Sequence, residues 1–319
     1  MSEYVLAADV GGTNVRVALV GTDGQILSRK ESNTPRHGPA SEIADLISTL
    51  GKDVLEEGSQ RKSAGKFGIA LPAIIDYSSG AVVESPNLPH LNGFKVAPYI
   101  SDRIGLEVKL ENDATAATIG EHWLGAGRGA GNVIGVTLGT GVGGGLIING
   151  QVLRGPDGTA GELGHVCVEP EGPLCGCGSL GCVEQFASAT AIVRLTRERL
   201  CKENSSPLDK SDEFTSEDVF KAAISGDALS IEVFRIAGYY LGIALAGLVN
   251  VLNPEIIFVG GGVAASWDLF IGATREEVEK RAFQRPAERV NIVRGQLGDD
   301  AGILGAAKTV IAQAHKGTS

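Results

Sequence analysis

The stretch from Tyr4 to Leu27 reads YVLAADVGGTNVRVALVGTDGQIL, and residues 133–150 repeat its pattern as VIGVTLGTGVGGGLIING. Each stretch predicts an apolar strand, a glycine turn, a second strand and a tight hairpin. A pattern that recurs within one chain indicates a duplicated fold. Ligand clefts commonly lie where two such halves meet, so we expect a cleft between them.

Strand and helix patterns alternate through the rest of the chain. Apolar residues at helical spacing predict a helix over residues 41–58, amphipathic helices over 217–252 and a closing helix over 301–314. Short apolar runs predict buried strands at residues 67–71, 108–110 and 256–259. The sequence therefore predicts an α/β protein with two lobes.

Composition excludes several classes of partner. The 319 residues are enough for two domains, and 43% hydrophobic with 21% charged residues is typical of a packed globular chain. A net charge of -10 disfavours binding to nucleic acid or to anionic lipid, because both require clustered positive charge. The amino terminus lacks signal-peptide features, and glycines and charges interrupt the apolar stretches, so we expect neither export nor a membrane span.

The first glycine turn combines a carboxylate with flexible backbone. Asp9 ends the predicted strand, and Gly11, Gly12 and Thr13 follow. Backbone N–H groups of such a turn can approach phosphate oxygens while the carboxylate faces a metal cation. An ordinary hairpin with two glycines would look the same, but the recurrence of the pattern favours a nucleotide site.

Two common nucleotide motifs are excluded. Residues 139–144 match G-x-G-x-x-G, but strand-type residues follow where a dinucleotide-binding site requires a helix. No G-x-x-x-x-G-K-[ST] run occurs, which excludes a P-loop. Residues 260–262 are three glycines after a strand, and they either admit a flat ligand such as adenine or simply form a strand-to-helix turn.

Four potential metal ligands fall within eighteen residues: His165, Cys175, Cys177 and Cys182. One imidazole and three thiolates complete a tetrahedral shell that is typical of structural zinc. Clustered cysteines suit metal binding in a reducing compartment better than disulfides, so we expect a cytoplasmic protein. Glu162 and Glu184 flank this cluster, either as solvated charges or as ligand-binding residues.

Asn112 and Asp113 stand where a predicted strand gives way to a helix. Both residue types are favoured helix N-caps, which is the simplest interpretation. A carboxylate at this position can also accept a proton from a hydroxyl nucleophile, as phosphoryl transfer requires.

Together these residues resemble the ROK family (repressor, open reading frame, kinase), and within it the bacterial glucokinases. The resemblance covers nearly the whole chain and is carried by Asp9-Val10-Gly11-Gly12-Thr13, Ser85-Pro86-Asn87-Leu88, Asn112-Asp113-Ala114, residues 138–145 (LGTGVGGG), Gly161-Glu162-Leu163-Gly164-His165, the cysteine cluster ending at Glu184, residues 253–262 (NPEIIFVGGG) and residues 300–307 (DAGILGAA). Two departures are Ala73, where many relatives have glycine, and Glu111, where aspartate is common. Ala73 bears on the choice of sugar.

The resemblance implies an actin-like, ribonuclease H-like fold whose two α/β lobes close on ATP and sugar, usually in a homodimer or homotetramer. The first lobe is predicted at residues 1–118, with a helix at about 301–319 packing back on it. The second lobe is predicted at residues 119–300 and contains the zinc loop.

The resemblance also implies a role for each site residue. Asp113 is expected to be the general base. The sugar is expected to contact Asn87, Asn112, Asp113, Glu162, His165 and Glu184. The phosphates and Mg²⁺ are expected at Asp9, Gly11, Gly12, Thr13, Gly139, Thr140 and Gly141, and the adenosine at Gly261 and Gly262. His165 can bind zinc through one ring nitrogen and face the sugar with the other.

The expected activity is ATP-dependent phosphorylation of glucose to glucose 6-phosphate. The alternatives are a kinase for fructose, mannose, allose or an N-acetylhexosamine, a sugar-sensing repressor, and a non-catalytic sugar-binding protein. The repressor would need an amino-terminal DNA-binding module, and we expect none because the first strand starts at Tyr4. The non-catalytic protein is disfavoured because Asp9 and Asp113 are both present.

Overall fold

The computed structural model describes residues 4–57, 64–202, 206–209 and 213–311. The strands are β1 Tyr4–Val10, β2 Asn14–Gly21, β3 Ile26–Asn33, β4 Lys66–Leu71, β5 Ile74–Asp76, β6 Ala81–Glu84, β7 Glu107–Asn112, β8 Val133–Leu138, β9 Val142–Ile148, β10 Gln151–Val152, β11 Ile256–Gly260 and β12 Asn291–Arg294. The helices are α1 Ala40–Glu57, α2 Val96–Ile104, α3 Asp113–Leu124, α4 Glu184–Ala187, α5 Ala189–Leu200, α6 Ser216–Ile224, α7 Ala228–Leu252, α8 Trp267–Arg281, α9 Gln284–Arg289 and α10 Ala301–Ile311.

Two five-stranded sheets share one topology. Their strand orders are β3-β2-β1-β4-β7 and β10-β9-β8-β11-β12. In each sheet the first three strands form an antiparallel meander, and the last two strands add in parallel to the first strand in the chain. The two matching glycine-turn stretches occupy equivalent places, β1–β2 and β8–β9, so the duplication read from the sequence is present in the fold.

Helices cover both faces of the first sheet. Leu6 and Ala8 of β1 join a core with α1 residues, whereas Val5 and Ala7 join a core with α10 residues. This division follows from the alternation of side chains along a strand. Gly305 of α10 lies against α3, since a Cβ there would stand 1.6 Å from the carbonyl oxygen of Ala116.

Helix α3 connects the two sheets, because it contacts β7 as well as β8 and β9. The predicted lobe limit at residues 118 and 119 falls inside this helix, and the limits stay a prediction. The predicted helix ends at Gly58 and beyond Ile311 lie outside the described residues. Strand β9 follows directly after the second glycine turn, which agrees with the exclusion of a dinucleotide-binding site.

The length and composition of helix α7 contradict the expectation that no stretch of the chain could cross a membrane. Of the helices in the described ranges, it is the one that is long and apolar enough to do so by length and composition alone. It packs against α8 and against α4, α5 and α6. Its apolar residues belong to the core of the second half, which includes Phe234, Leu241 and Val249, and core helices pass the same test.

Candidate active site

Asp9 and Asp113 lie at the same edge of the first sheet. Strands β1, β4 and β7 are parallel, so their carboxyl ends meet there. Asp9 is the penultimate residue of β1, and Asp113 follows β7 directly. Asn112 caps α3, because its Oδ1 accepts a hydrogen bond from the backbone N–H of Thr115 at 3.0 Å. The N-cap interpretation is therefore correct for Asn112, and it leaves the Asp113 carboxylate free of that task.

Both carboxyl groups hold protons more strongly than ordinary aspartates. Burial raises the pKa of Asp113, and the negative charge of Glu162 raises it further, although the backbone N–H of Ala114 donates to Oδ1 at 2.8 Å and opposes the shift. Burial also raises the pKa of Asp9 to about 7, with Asp113 adding to the shift and Arg16 opposing it. A raised pKa suits a carboxylate that must accept a proton near neutral pH.

The first glycine turn is held from the side by residues after β3. The Thr34 hydroxyl donates to the Gly11 carbonyl oxygen at 2.7 Å. The Arg36 guanidinium donates to the Gly12 carbonyl at 2.8 Å and to the Thr13 hydroxyl at 3.1 Å. Arg36 therefore brings a positive charge to the predicted phosphate region. Sequence reasoning missed it, because an arginine in a polar loop carries no signal that separates it from other surface charges.

The second glycine turn is tied to the start of α5. The backbone N–H of Ala189 donates to the Gly139 carbonyl at 2.8 Å, and the Thr190 hydroxyl donates to the Thr140 carbonyl at 2.8 Å. Gly261 has φ of +84°, and a Cβ there would stand 2.5 Å from the Leu138 carbonyl oxygen. Packing alone thus requires glycine at this position, and the interpretation as a strand-to-helix turn accounts for it.

The four predicted metal ligands converge. Their ligand atoms all lie within 4.8 Å of one another. The Cys177 and Cys182 sulfurs are 3.7 Å apart, and His165 Nδ1 is 3.6 Å from the Cys175 sulfur. A tetrahedral zinc ion with ordinary bond lengths requires separations of about 3.8 Å between sulfurs and about 3.6 Å between sulfur and nitrogen. The Cys₃His set therefore fits structural zinc.

Glu162 and Glu184 lie beside this cluster. With Nδ1 of His165 directed at the cysteines, its Nε2 stands 3.9 Å from a Glu162 carboxylate oxygen. Burial raises the pKa of Glu162, with His165 opposing the shift and Glu184 adding to it. The Glu184 carboxylate accepts from the Val142 N–H at 2.9 Å and rests on Gly141, where a Cβ would come within 2.4 Å of it. Glu184 thus joins the metal-binding loop to the second glycine turn.

The glycines of β9 allow Ala114 and Leu163, the chain neighbours of Asp113 and Glu162, to pack closely on this strand. A Cβ at Gly143 would stand 2.7 Å from the Ala114 side chain on α3. A Cβ at Gly144 would meet Leu163 at 2.4 Å. Because both positions lack a side chain, the start of α3 and the segment containing Glu162 can approach the same short stretch. The glycine-rich run therefore contributes to the site partly by leaving room for these two segments to pack closely.

The sequence profile of the ROK family matches residues 5–313. The chain belongs to the ROK family. It is 38% identical over 310 residues to the glucokinase of Thermotoga maritima, covering 96% of each chain. The ROK hexokinase of Thermus thermophilus has a TM-score of 0.83 and 31% identity, with 98% of this chain and 100% of that chain covered.

A third similar protein is a ROK family glucokinase from Streptomyces griseus, solved in complex with glucose and AMPPNP. Its TM-score is 0.80 and its identity 33%, and the match covers 96% of this chain and 98% of that chain. These likenesses confirm the predicted actin-like α/β fold for this ROK protein.

Among the predicted sugar-binding residues, Asn87 lies in the loop between β6 and α2. It is exposed in the loop before α2, and within the described ranges it forms no hydrogen bond with the other predicted residues. The loop is ordered around it, since the Asn92 side chain accepts from the Ser85 N–H at 2.8 Å and the Ser85 hydroxyl accepts from the Leu88 N–H at 3.1 Å. Its contact with sugar in this ROK protein stays a prediction.

Proposed function

We propose that this ROK protein is a glucokinase that transfers the γ-phosphoryl group of ATP to the primary hydroxyl of glucose. The observation that supports this most is the placement of Asp113, a carboxylate of raised pKa, near Glu162 and the His165 loop. The glucokinases of Thermotoga maritima and Streptomyces griseus resemble the chain over nearly its full length, which supports glucose as the sugar.

In this proposal each residue group has one task. Glu162, Glu184 and His165 Nε2 bind sugar hydroxyls and orient the reacting one toward Asp113. Asp113 accepts the proton of that hydroxyl as it attacks phosphorus. The turns at residues 11–13 and 139–141 seat the phosphates with backbone N–H groups, and Arg36 adds positive charge. Mg²⁺ bound with ATP supplies further neutralisation of phosphate charge, and Asp9 is the carboxylate that would face it.

Zinc has an indirect task in this proposal. His165, Cys175, Cys177 and Cys182 would hold it, and a closed shell of four protein ligands leaves no position for a reacting water. Its contribution is therefore to fix the ring of His165 so that Nε2 faces the sugar side. We also propose a cytoplasmic location and a homodimeric or homotetrameric state, following the family.

A coupled assay with a panel of hexoses tests the activity. The purified protein is offered glucose, fructose, mannose, allose and N-acetylated hexosamines, each with ATP or with polyphosphate. We expect the highest kcat/KM with glucose and ATP. A higher value for another hexose would overturn the glucose assignment, and phosphorylation of none of them would overturn the kinase assignment.

A further inference from the structure

Glu111 is a buried carboxylate whose two side-chain partners come from distant parts of the chain. Its side chain is fully buried on β7. The Tyr77 hydroxyl donates to its Oε1 at 2.6 Å. The Arg154 guanidinium donates to the carboxylate from Nε, at 3.2 Å from Oε2, and from a second nitrogen. A buried charge of this kind requires a close cationic partner. Here that partner, Arg154, belongs to the other half of the molecule.

The ion pair joins the two segments that carry the proposed chemistry. Glu111 precedes Asp113 by two residues on the same strand end. Arg154 follows β10 in the second sheet, and Glu162 comes only eight residues later. The Ala160 N–H donates to the Arg154 carbonyl at 3.0 Å, so the connecting loop closes on itself just before Glu162.

The same loop also packs on the other partner of Glu111. Gly158 has φ of +78°, and a Cβ there would stand 2.8 Å from the Tyr77 ring and 3.0 Å from the Ile75 carbonyl oxygen. The Arg154 guanidinium lies 5.2 Å from the centroid of that ring. The loop between Arg154 and Glu162 is thus anchored at two points on the first half of the chain.

We propose that Arg154 is a positioning residue that sets the separation between the base Asp113 and the sugar-binding Glu162. This inference rests on the proposed sugar kinase function. Asp113 and Glu162 belong to different halves, and the Arg154–Glu111 pair is a rigid, bidentate link between them. Displacing a reacting group by about 1 Å can cost about 100-fold in rate, so such a link has kinetic consequences.

The inference is tested with Arg154→Met and with a double variant that also carries Glu111→Gln. Arg154→Met leaves the Glu111 charge buried without its cation, so we expect a clearly lower Tm. The double variant removes both charges, and we expect it to regain most of the lost Tm. If the pair positions the site, kcat/KM for glucose falls about 10- to 100-fold in both Arg154→Met and the double variant, while KM for ATP changes less than threefold.

The control is Arg235→Met, which breaks the exposed Arg235–Glu232 pair on α7 and should leave kcat, KM and Tm near wild type. A double variant with regained Tm and wild-type kinetics would show a merely structural pair and overturn the inference. Arg154→Lys should restore only part of the kcat/KM, because one ammonium group cannot reproduce the fork. If Arg154→Met does not fold, the double variant carries the test. A wild-type protein that phosphorylates no hexose would instead count against the proposed function.

Discussion

Asp113 and Asp9 lie at the carboxyl edge of the first sheet, and both carboxyl groups have a raised pKa. Burial is the largest cause of both pKa shifts, and the negative charge of Asp113 adds to the shift at Asp9. Clustered carboxylates of raised pKa often mark sites where proton transfer or cation binding occurs. The two residues therefore give separate predictions, one for catalysis and one for stability.

Asp113→Asn should lower kcat by about 10²- to 10⁴-fold, because an amide cannot accept the hydroxyl proton. The glucose affinity should stay within a few-fold of wild type, since the amide has the same shape and its oxygen can still accept from Ala114. Steady-state kinetics and glucose titration calorimetry measure the two effects. Asp45→Asn, at an exposed pair with Arg103, is the control. A near-normal kcat would remove Asp113 from the role of base.

Asp9→Asn should stabilise the ligand-free protein at alkaline pH. The folded-state pKa of Asp9, about 7, lies above its unfolded value of 3.8, so the folded state binds the proton more tightly. Wild-type stability therefore falls relative to the variant as pH rises from about 4 to about 7 and stays lower above that range, by no more than about 4 kcal/mol. Thermal melts at pH 5 and pH 8 measure this. An equal Tm difference at both values would contradict it.

Helix α10 depends on glycine at its contact with α3. Gly305→Ala should destabilise the protein by several kcal/mol, because the new Cβ would meet the Ala116 carbonyl at 1.6 Å and the helices would have to separate. Gly272→Ala in α8 is a matched control, since nothing lies within 4 Å of its Cβ position. That change should stabilise by about 0.5–1 kcal/mol, as expected for alanine in a helix. Chemical denaturation measures the free energy of unfolding of both variants. Equal changes in the two variants would refute the close contact at Gly305.

Replacing a cysteine of the predicted zinc cluster should lower the affinity for zinc and for sugar together. Cys177→Ser removes one of four ligands and should free His165 to rotate, so that Nε2 no longer faces Glu162. We expect substoichiometric zinc by metal analysis and a rise of about 10-fold or more in KM for glucose, by analogy with losses seen on disturbing metal sites. Cys201→Ser, outside the cluster, is the control. Unchanged glucose KM in a zinc-free variant would refute the coupling.

In the part of the chain that the structure describes, two connections join the halves, and Glu121 accepts hydrogen bonds from both. One crossing runs from α3 to β8 and the other from β12 to α10. The buried Glu121 carboxylate accepts from the Ala126 N–H in the first crossing at 2.7 Å. It also accepts from the Gln296 and Leu297 N–H groups in the second crossing, each at 2.7 Å. One side chain therefore fixes the relative position of the two connections.

Glu121→Gln should destabilise the protein by about 2–3 kcal/mol, because the neutral amide has a single acceptor oxygen for three buried N–H groups. Glu255→Gln is the matched control. Its carboxylate also accepts from two backbone N–H groups, those of Gly131 and Asn132, but it is exposed, so the loss should stay within about 1 kcal/mol. Urea denaturation compares the two, and a Glu121→Gln effect no larger than that of Glu255→Gln would contradict the proposed role of Glu121 in holding the two crossings together.

Local patterns made much of this predictable. The strands and glycine turns are predictable from the sequence, because side-chain alternation and turn residues act over a few neighbours. The N-cap role of Asn112 is predictable for the same reason, and the Cys₃His set is predictable because its members lie within eighteen residues. Family resemblance, which draws on these same motifs, led to the actin-like fold.

Contacts between residues far apart in the sequence are decided only by the tertiary structure. Glu121 meets residues 175 and 176 positions away, and Glu111 meets Arg154 at 43 positions. No spacing rule links such residues, because their contact depends on how the two sheets pack. The same holds for Gly261, whose neighbour Leu138 belongs to another strand. Composition and short-range pattern thus determined the elements and the metal ligands, while the packing of two sheets about α3 brought the charge of Glu162 close to Asp113 and joined Arg154 to Glu111.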